Sequence, residues 1–201
     1  MKHLILVLAA TCCAIAICAS PAAAVPITFI HTGSGSGTLE GTPFSLSAFT
    51  ITGIGDTDNR MSVSDYAYFI DHDAASIDIA GLGTLTFLTG TRTFVNYDFS
   101  VVGFSRGGTG GSDLFNGPTD SAFASWDMLS SIGPISGSAY ALQWTSGVET
   151  NLGTLVLDSL GYVPATFEAV VGESVIPVPG AILLGALGAG LVGWFRRRGA
   201  V

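Results

Sequence analysis

The chain has 201 residues, of which 48% are hydrophobic, and a formal net charge of −8. Residues 25–174 hold only three arginines against all 15 acidic residues, a net charge of −12, and this excludes nucleic-acid binding because such a surface repels phosphate. All three cysteines precede residue 25, which excludes a thiol nucleophile or a Cys-ligated metal in the rest of the chain.

Residues 1–24 are predicted to form a cleavable signal peptide. Lys2 supplies the positive start, and the almost continuously apolar run Leu4 to Ile17 supplies the helical core. Ala22 and Ala24 form a small-residue cleavage site, with the cut expected after Ala24. Export would involve the Sec machinery and signal peptidase. An uncleaved membrane anchor is the alternative.

Residues 25–174 are predicted to form a single all-β domain of the β-sandwich or jelly-roll type. Apolar and polar residues alternate in Val95 to Val101, Tyr140 to Trp144 and Phe167 to Val171, the pattern of strands with one buried face. Glycine-rich runs separate these segments and predict turns. They are Gly33 to Gly37, Gly53 to Asn59, Gly81 to Gly83 and Gly107 to Ser112.

Three further patterns concern local structure. The alternation that starts at Phe44 slips by one residue at Phe49, which predicts a β-bulge or bend near Ala48. The threonines of Thr84 to Phe87 and Thr91 to Phe94 are predicted to face solvent. Residues 119–132 carry a cap and helical apolar spacing, and the stop Gly133-Pro134 follows them, so they predict either a helix or an irregular or extended loop.

Two acidic segments are weighed as metal sites. Asp56 and Asp58 supply oxygen atoms in a Gly-flanked turn, where a structural Ca²⁺ ion is an alternative to an ordinary turn. The triplet Asp71-His72-Asp73 is interpreted as a solvated acidic loop, because no second histidine ligand is evident. No other cofactor is predicted.

The segment Gly103 to Gly107 has the G-x-S-x-G spacing of a hydrolase nucleophile elbow. No histidine follows Ser105, and the glycines after it cannot start a stable helix. We therefore predict a Gly-rich hairpin and a non-enzymatic protein. A glycosidase that uses two carboxylates remains an alternative.

Exposed aromatic side chains would indicate a sugar-binding platform. The candidates are Trp126, Trp144, Tyr66, Tyr68 and Tyr140. Alternation along their segments favours the core for Tyr140 and Trp144, and likewise for Tyr66 and Tyr68.

Residues 175–201 form a distinct C-terminal segment. It contains the Pro-x-Pro element Pro177-Val178-Pro179 with Gly180, then an apolar run, then an arginine cluster. The apolar run from Ala181 to Phe195 predicts a hydrophobic helix that is marginal in length for a membrane span. Its membrane-facing and stop residues are Ala181, Leu183, Leu184, Leu187, Leu191, Trp194, Arg196, Arg197 and Arg198. The arginines favour the cytoplasmic side.

This tail resembles the PEP-CTERM sorting signal of bacterial proteins associated with exopolysaccharide. The resemblance covers about 27 residues, and it departs from the family where Val178 replaces the usual Glu between the prolines. It implies that an exosortase-type membrane protease recognises the Pro-x-Pro region and removes the tail. A GPI signal works similarly, since its hydrophobic tail holds the substrate at the membrane until processing removes it.

These patterns predict an exported, non-enzymatic protein of the cell surface or extracellular matrix, held at the inner membrane transiently by its C-terminal helix. Its partners would be the exosortase and extracellular polysaccharide. A carbohydrate-binding module and a permanently membrane-anchored surface protein are the alternatives.

Overall fold

The computed structural model describes residues 25–63, 65–108, 111–144, 147–158 and 162–172. In chain order the strands are β1 (Pro26–Leu39), β2 (Thr42–Asp56), β3 (Met61–Val63), β4 (Ala67–Asp71), β5 (Ala74–Ile79), β6 (Gly83–Thr86), β7 (Thr91–Asn96), β8 (Val101–Arg106), β9 (Asp113–Thr119), β10 (Ile132–Ala141), β11 (Val148–Thr150), β12 (Gly153–Leu157) and β13 (Val163–Val171). Two 3₁₀ turns, Thr57–Asn59 and Ser121–Ala124, interrupt them. The predicted all-β class is confirmed.

All thirteen strands join one antiparallel sheet, in the order β3-β4-β7-β8-β9-β10-β13-β1-β2-β5-β6, with β12 on β1 and β11 on β12. Strand β1 lies at the centre because it pairs with β2, β12 and β13. Its partner β13 is the last described strand, so the two ends of the domain are hydrogen-bonded to each other. The predicted strand at Phe167 to Val171 is confirmed as part of β13.

The strand predicted over Val95 to Val101 is wrong. Strand β7 ends at Asn96, and a turn follows in which the Ser100 amide donates to the Tyr97 carbonyl at 3.1 Å. The side chain of Asn96 accepts from the Phe99 amide at 3.3 Å. Short polar residues that bond the backbone locally favour turns, and here they prevail over the apolar alternation.

Other local predictions have mixed outcomes. The predicted irregularity near Ala48 is present, but the register shift lies at Leu46, which has a φ of 50° and is 84% exposed. Residues 119–132 form one 3₁₀ turn and an irregular loop rather than an α-helix. Glycine runs 33–37 and 53–56 lie inside β1 and β2 and do not form turns.

The sheet has two halves, one containing β4, β7, β8 and β9 and the other containing β13, β1, β2 and β5. The two halves share an apolar interior. The ring centroid of His31 on β1 lies 6.2 Å from that of Phe104 on β8, and Phe29 on β1 lies 5.7 Å from His72, which follows β4. The interior includes the buried aromatic residues Trp144, Phe115, Phe123 and Phe167. The side chains of β1 therefore pack against those of β8 and the end of β4.

His72 occupies a fixed position between these halves. Its Nδ1 and Nε2 lie 2.9 Å and 3.0 Å from the hydroxyls of Thr91 and Thr93, and its ring stacks on Phe104. Both threonines are buried, so the prediction that they face solvent is wrong. His72 is partly buried, and the ring nitrogens that face the interior need hydrogen-bond partners, which these two hydroxyls supply.

Gly53 on β2 makes room for this ring. A Cβ atom at Gly53 would lie 2.4 Å from Nε2 of His72. We expect Gly53→Ala to lower the free energy of unfolding by about 1–3 kcal/mol, because the added methyl overpacks a rigid site. Urea denaturation of residues 25–173, followed by circular dichroism, measures the change.

Gly90→Ala is the matched control. A Cβ atom at Gly90 meets nothing within 4 Å, so this change should be neutral or slightly stabilising. Equal unfolding midpoints for Gly53→Ala and the unchanged chain would show that the His72 site is not tightly packed.

Candidate functional site

The outward face of β4, β7, β8, β9 and β10 carries a groove, here called the outer groove. One part of it has a volume of about 680 Å³ and the adjoining part about 410 Å³. Phe94, Asn96 and Asp113 line both parts, so the two are continuous. Such a concave surface with mixed apolar and polar lining is the usual form of a ligand site.

An aromatic row crosses the floor of the groove. Strand pairing aligns Phe69 with Phe94, Phe94 with Gly103, Gly103 with Asn116, and Asn116 with Tyr140. These five residues, one from each strand, define the row. Because they lie opposite one another in register, their side chains point to the same side of the sheet.

Two exposed aromatic side chains add to this row, one at its β10 end and one in the turn before β8. Tyr162 packs edge-on against Tyr140, with ring centroids 5.2 Å apart, and is 76% exposed. Phe99 in the turn before β8 is 72% exposed and also lines the groove. The groove therefore offers aromatic surface at both ends, around a centre formed by Gly103 and Asn116.

Irregular pairing in β9 places two polar side chains in the groove. The register between β8 and β9 shifts between Phe104 and Ser105, so that Leu114 adds one residue to β9. Leu114 and Phe115 are both buried as a result, and Asp113 and Asn116 lie on one face although they are three positions apart in the strand. The Asn116 amide donates to Asp113 Oδ2 at 3.2 Å. Bulges often re-aim side chains next to functional sites.

A polar row runs beside the aromatic row. Pairing aligns Asp71, Arg92, Ser105 and Asp113 across four strands. Arg92 Nε donates to the Arg106 carbonyl at 3.1 Å, and its terminal amine donates to the Gly108 carbonyl at 2.6 Å. Its guanidinium also lies 4.6 Å above the ring of Phe69. Two backbone carbonyls thus fix the position of the Arg92 guanidinium, which is the positive charge of this row.

Beneath the groove, the two histidines are kept neutral. Burial, with a smaller contribution from the nearby His72, lowers the pKa of His31 to about 3. Burial likewise lowers the pKa of His72 to about 3. Nε2 of His31 lies 3.4 Å from the Thr93 hydroxyl that also contacts His72. Neither ring lines the outer groove, so the pair belongs to the interior.

The structure separates the residues of the predicted acidic sites. Asp56 Oδ1 accepts from the Asp58 amide at 2.9 Å and caps a 3₁₀ turn. Asp71 and Asp73 are exposed, whereas His72 is turned inward, so the interpretation of this triplet as a solvated loop is wrong for the histidine. Among the described residues, no group of three or more His, Cys, Asp or Glu could hold a metal ion.

Ser105 of the G-x-S-x-G segment lies within strand β8, and the predicted hairpin joins β8 to β9.

The predicted aromatic candidates lie in different places. Trp126 and Trp144 are buried, and Trp144 Nε1 donates to the Leu114 carbonyl at 2.6 Å. Tyr68 is partly buried against the core. Tyr66 and Tyr140 line the groove, so the prediction that they belong to the core is wrong.

The sorting motif, the membrane segment and the signal-cleavage residues lie outside the described residues. Within the part of the chain that is described, no helix is long and apolar enough to cross a membrane.

Sequence reasoning missed Phe69, Phe94, Asp113, Asn116 and Tyr162. One signal was present in Thr91 to Asn96, where the odd-numbered residues are small and the even-numbered ones are Arg92, Phe94 and Asn96. Large residues with mixed polarity on one face are typical of a binding surface as well as of a core.

Comparison with protein-family models, with curated proteins and with solved structures finds no match to this chain.

The buried histidines make stability depend on pH. Their folded pKa values lie below the unfolded value of 6.5, so the unfolded chain binds more protons. Their contribution is therefore complete above about pH 6.5 and is lost as the pH falls toward 3. Between pH 6 and 5 we expect the unfolding free energy of residues 25–173 to fall by about 2 kcal/mol, measured by urea denaturation.

His31→Leu is the informative variant, since it removes one titrating group among apolar neighbours. It should reduce this pH dependence by about half. An unchanged slope would mean that His31 does not titrate with unfolding.

Proposed function

We propose that this chain is an exported, non-enzymatic protein of the cell surface or extracellular matrix. The order of features at its two ends carries the proposal: a signal peptide over residues 1–24, then Pro-x-Pro, an apolar run and three arginines over residues 175–201. The strongly acidic domain between them suits solubility outside the cell.

The same proposal assigns the tail to sorting. Its resemblance to PEP-CTERM signals supports recognition of Pro177-Val178-Pro179 by an exosortase-type protease, after transient insertion in the inner membrane. The marginal length of the apolar run supports a transient rather than a permanent anchor.

We further propose that the folded-over sheet is a jelly-roll-like sandwich. The support is the packing of β1 and β2 against β4 and β8, through His72 beside Gly53 and His31 beside Phe104. In such an architecture each layer keeps an outward face, and the outer groove lies on one of these faces.

The geometry of the groove favours binding over hydrolysis. Asp71 and Asp113 line the same part of the groove, but Arg92 and Ser105 lie between them in the polar row. Three strand spacings place their backbones about 14 Å apart. Glycosidase carboxyl groups lie about 5–10 Å apart, so this pair could act as acid and base only if both side chains leaned toward each other across Arg92 and Ser105.

A carbohydrate-binding module is the second candidate function, and the aromatic row favours it. Phe69, Phe94 and Tyr140 offer flat apolar surface, and Asn116 and Asp113 offer hydrogen-bonding groups beside it. Aromatic faces with a few placed polar groups suit a ligand that has apolar ring faces and many hydroxyls.

Routing is tested by inserting an epitope tag between Ser174 and Val175 and expressing the protein in its producing organism. We expect an exported form whose mass lacks both the signal peptide and the tail. Replacing Pro177 and Pro179 together by alanine should leave the full tail in the membrane fraction, because the recognition element is lost. Val178→Glu, which restores the family's usual residue, serves as the control and should be processed.

An intact tail in purified membranes of the unchanged protein would instead support a permanent anchor. A full-length cytoplasmic product would contradict both proposals.

The carbohydrate-binding candidate is tested by co-sedimentation. The exported protein is mixed with exopolysaccharide isolated from the producing organism, and the pelleted fraction is measured against polymer concentration. Saturable pelleting supports binding. Equal pelleting of serum albumin would mark it as non-specific.

A further inference from the structure

We infer that the outer groove holds one extended, uncharged polysaccharide chain, which runs across the strands along the aromatic row. The inference rests on the carbohydrate-binding role proposed above and names the ligand class, its direction and the residues that hold it.

The direction follows from strand register. The aromatic row crosses five adjacent strands from Phe69 on β4 to Tyr140 on β10. Four strand spacings make it about 19 Å long. Tyr162 prolongs it beyond β10. A row of this length fits several linked sugar rings rather than a single small molecule, and both ends of the row are aromatic.

The centre of the row needs a hydrogen-bond donor. Asn116 is 8% exposed, and its Oδ1 is buried without a hydrogen-bond partner among the described residues. Its amide group is held by Asp113, so the oxygen is directed toward the space above Gly103. Leaving a buried acceptor without a hydrogen bond is unfavourable. A sugar hydroxyl would satisfy it.

Phe94 controls access to this oxygen. A Cβ atom at Gly103 would lie 2.4 Å from Phe94 Cζ and 2.6 Å from Asn116 Oδ1, so ring and oxygen share the space above the glycine. Rotation of the Phe94 ring would expose Oδ1 and present the aromatic face to a sugar ring. The absence of a side chain at Gly103 leaves room for this movement.

The negative charge in and around the groove favours an uncharged ligand. The polar row contains Asp71 and Asp113, and its Arg92 donates to two backbone carbonyls. Residues 25–174 have a net charge of −12. A polymer of uronic acids or sulfated sugars would meet repulsion here, whereas the carboxylates can accept hydrogen bonds from neutral hydroxyls.

A peptide fits this surface less well. The groove lies on the face of the sheet, where β7, β8 and β9 are paired on both sides. The edge strand β3 lines only the β4 end of the groove, through Met61 and Val63, so a peptide lying along the aromatic row could not add to the sheet by backbone hydrogen bonds.

The experiment uses the full chain, purified in a detergent whose head group is not a sugar. Exopolysaccharide of the producing organism is separated by anion exchange into neutral and acidic fractions, and each is titrated calorimetrically. We expect saturable binding of the neutral fraction only. Tyr140→Ala and Tyr162→Ala should each weaken it about tenfold, because each removes a stacking surface.

Leu88→Ala is the matched control, since Leu88 is 68% exposed and lies outside the groove. It should bind as the unchanged chain does. Tyr162→Ala is expected to fold normally, because this highly exposed side chain contributes little to the core. The unfolding midpoints of all variants are compared to check this.

The outcomes separate the two proposals. Binding of the acidic fraction alone overturns the uncharged ligand but leaves a carbohydrate-binding role. Neutral binding that survives both groove variants overturns the site and leaves the role. Binding of neither fraction overturns both.

Discussion

The fold depends on a partly buried, neutral imidazole between the two halves of the sheet. His72 is hydrogen-bonded to Thr91 and Thr93 on β7, stacks on Phe104 of β8, and faces the bare backbone of Gly53 on β2. This contact sets how closely β2 approaches β4 and β7. It also requires the ring to be uncharged, since an unpaired charge in this interior would be strongly unfavourable.

The same contact organises the outward face. Because alternate residues of a strand point to opposite sides, turning Thr91 and Thr93 inward to meet His72 turns Arg92, Phe94 and Asn96 outward. An aromatic ring that would otherwise enter the core therefore lies in the groove. The irregular register of β9 then brings Asp113 and Asn116 to the same side. Which face of β7 is buried thus decides both which polar groups lie in the core and which side chains line the groove.

Much of the β structure was predictable, because period-two alternation and turn residues are local signals. The irregularity in β2 and the alternation of β13 were found in this way. The groove was not. Tyr140 and Phe94 look like core residues in a single strand, and only pairing with Asn116 and Gly103 on neighbouring strands shows that they share an outward row. Alternation identifies two faces without saying which one is buried.

By itself, the sequence determined the all-β class, the acidic and cysteine-free composition of residues 25–174, and the order of signal-like features at both ends. These depend on composition or on neighbours along the chain. Tertiary structure alone decided that Thr91 and Thr93 lie inside, that Gly53 marks a close approach, and that the aromatic row spans five strands. Each of these is a contact between residues distant in sequence, and its energy exists only once distant strands have paired and packed.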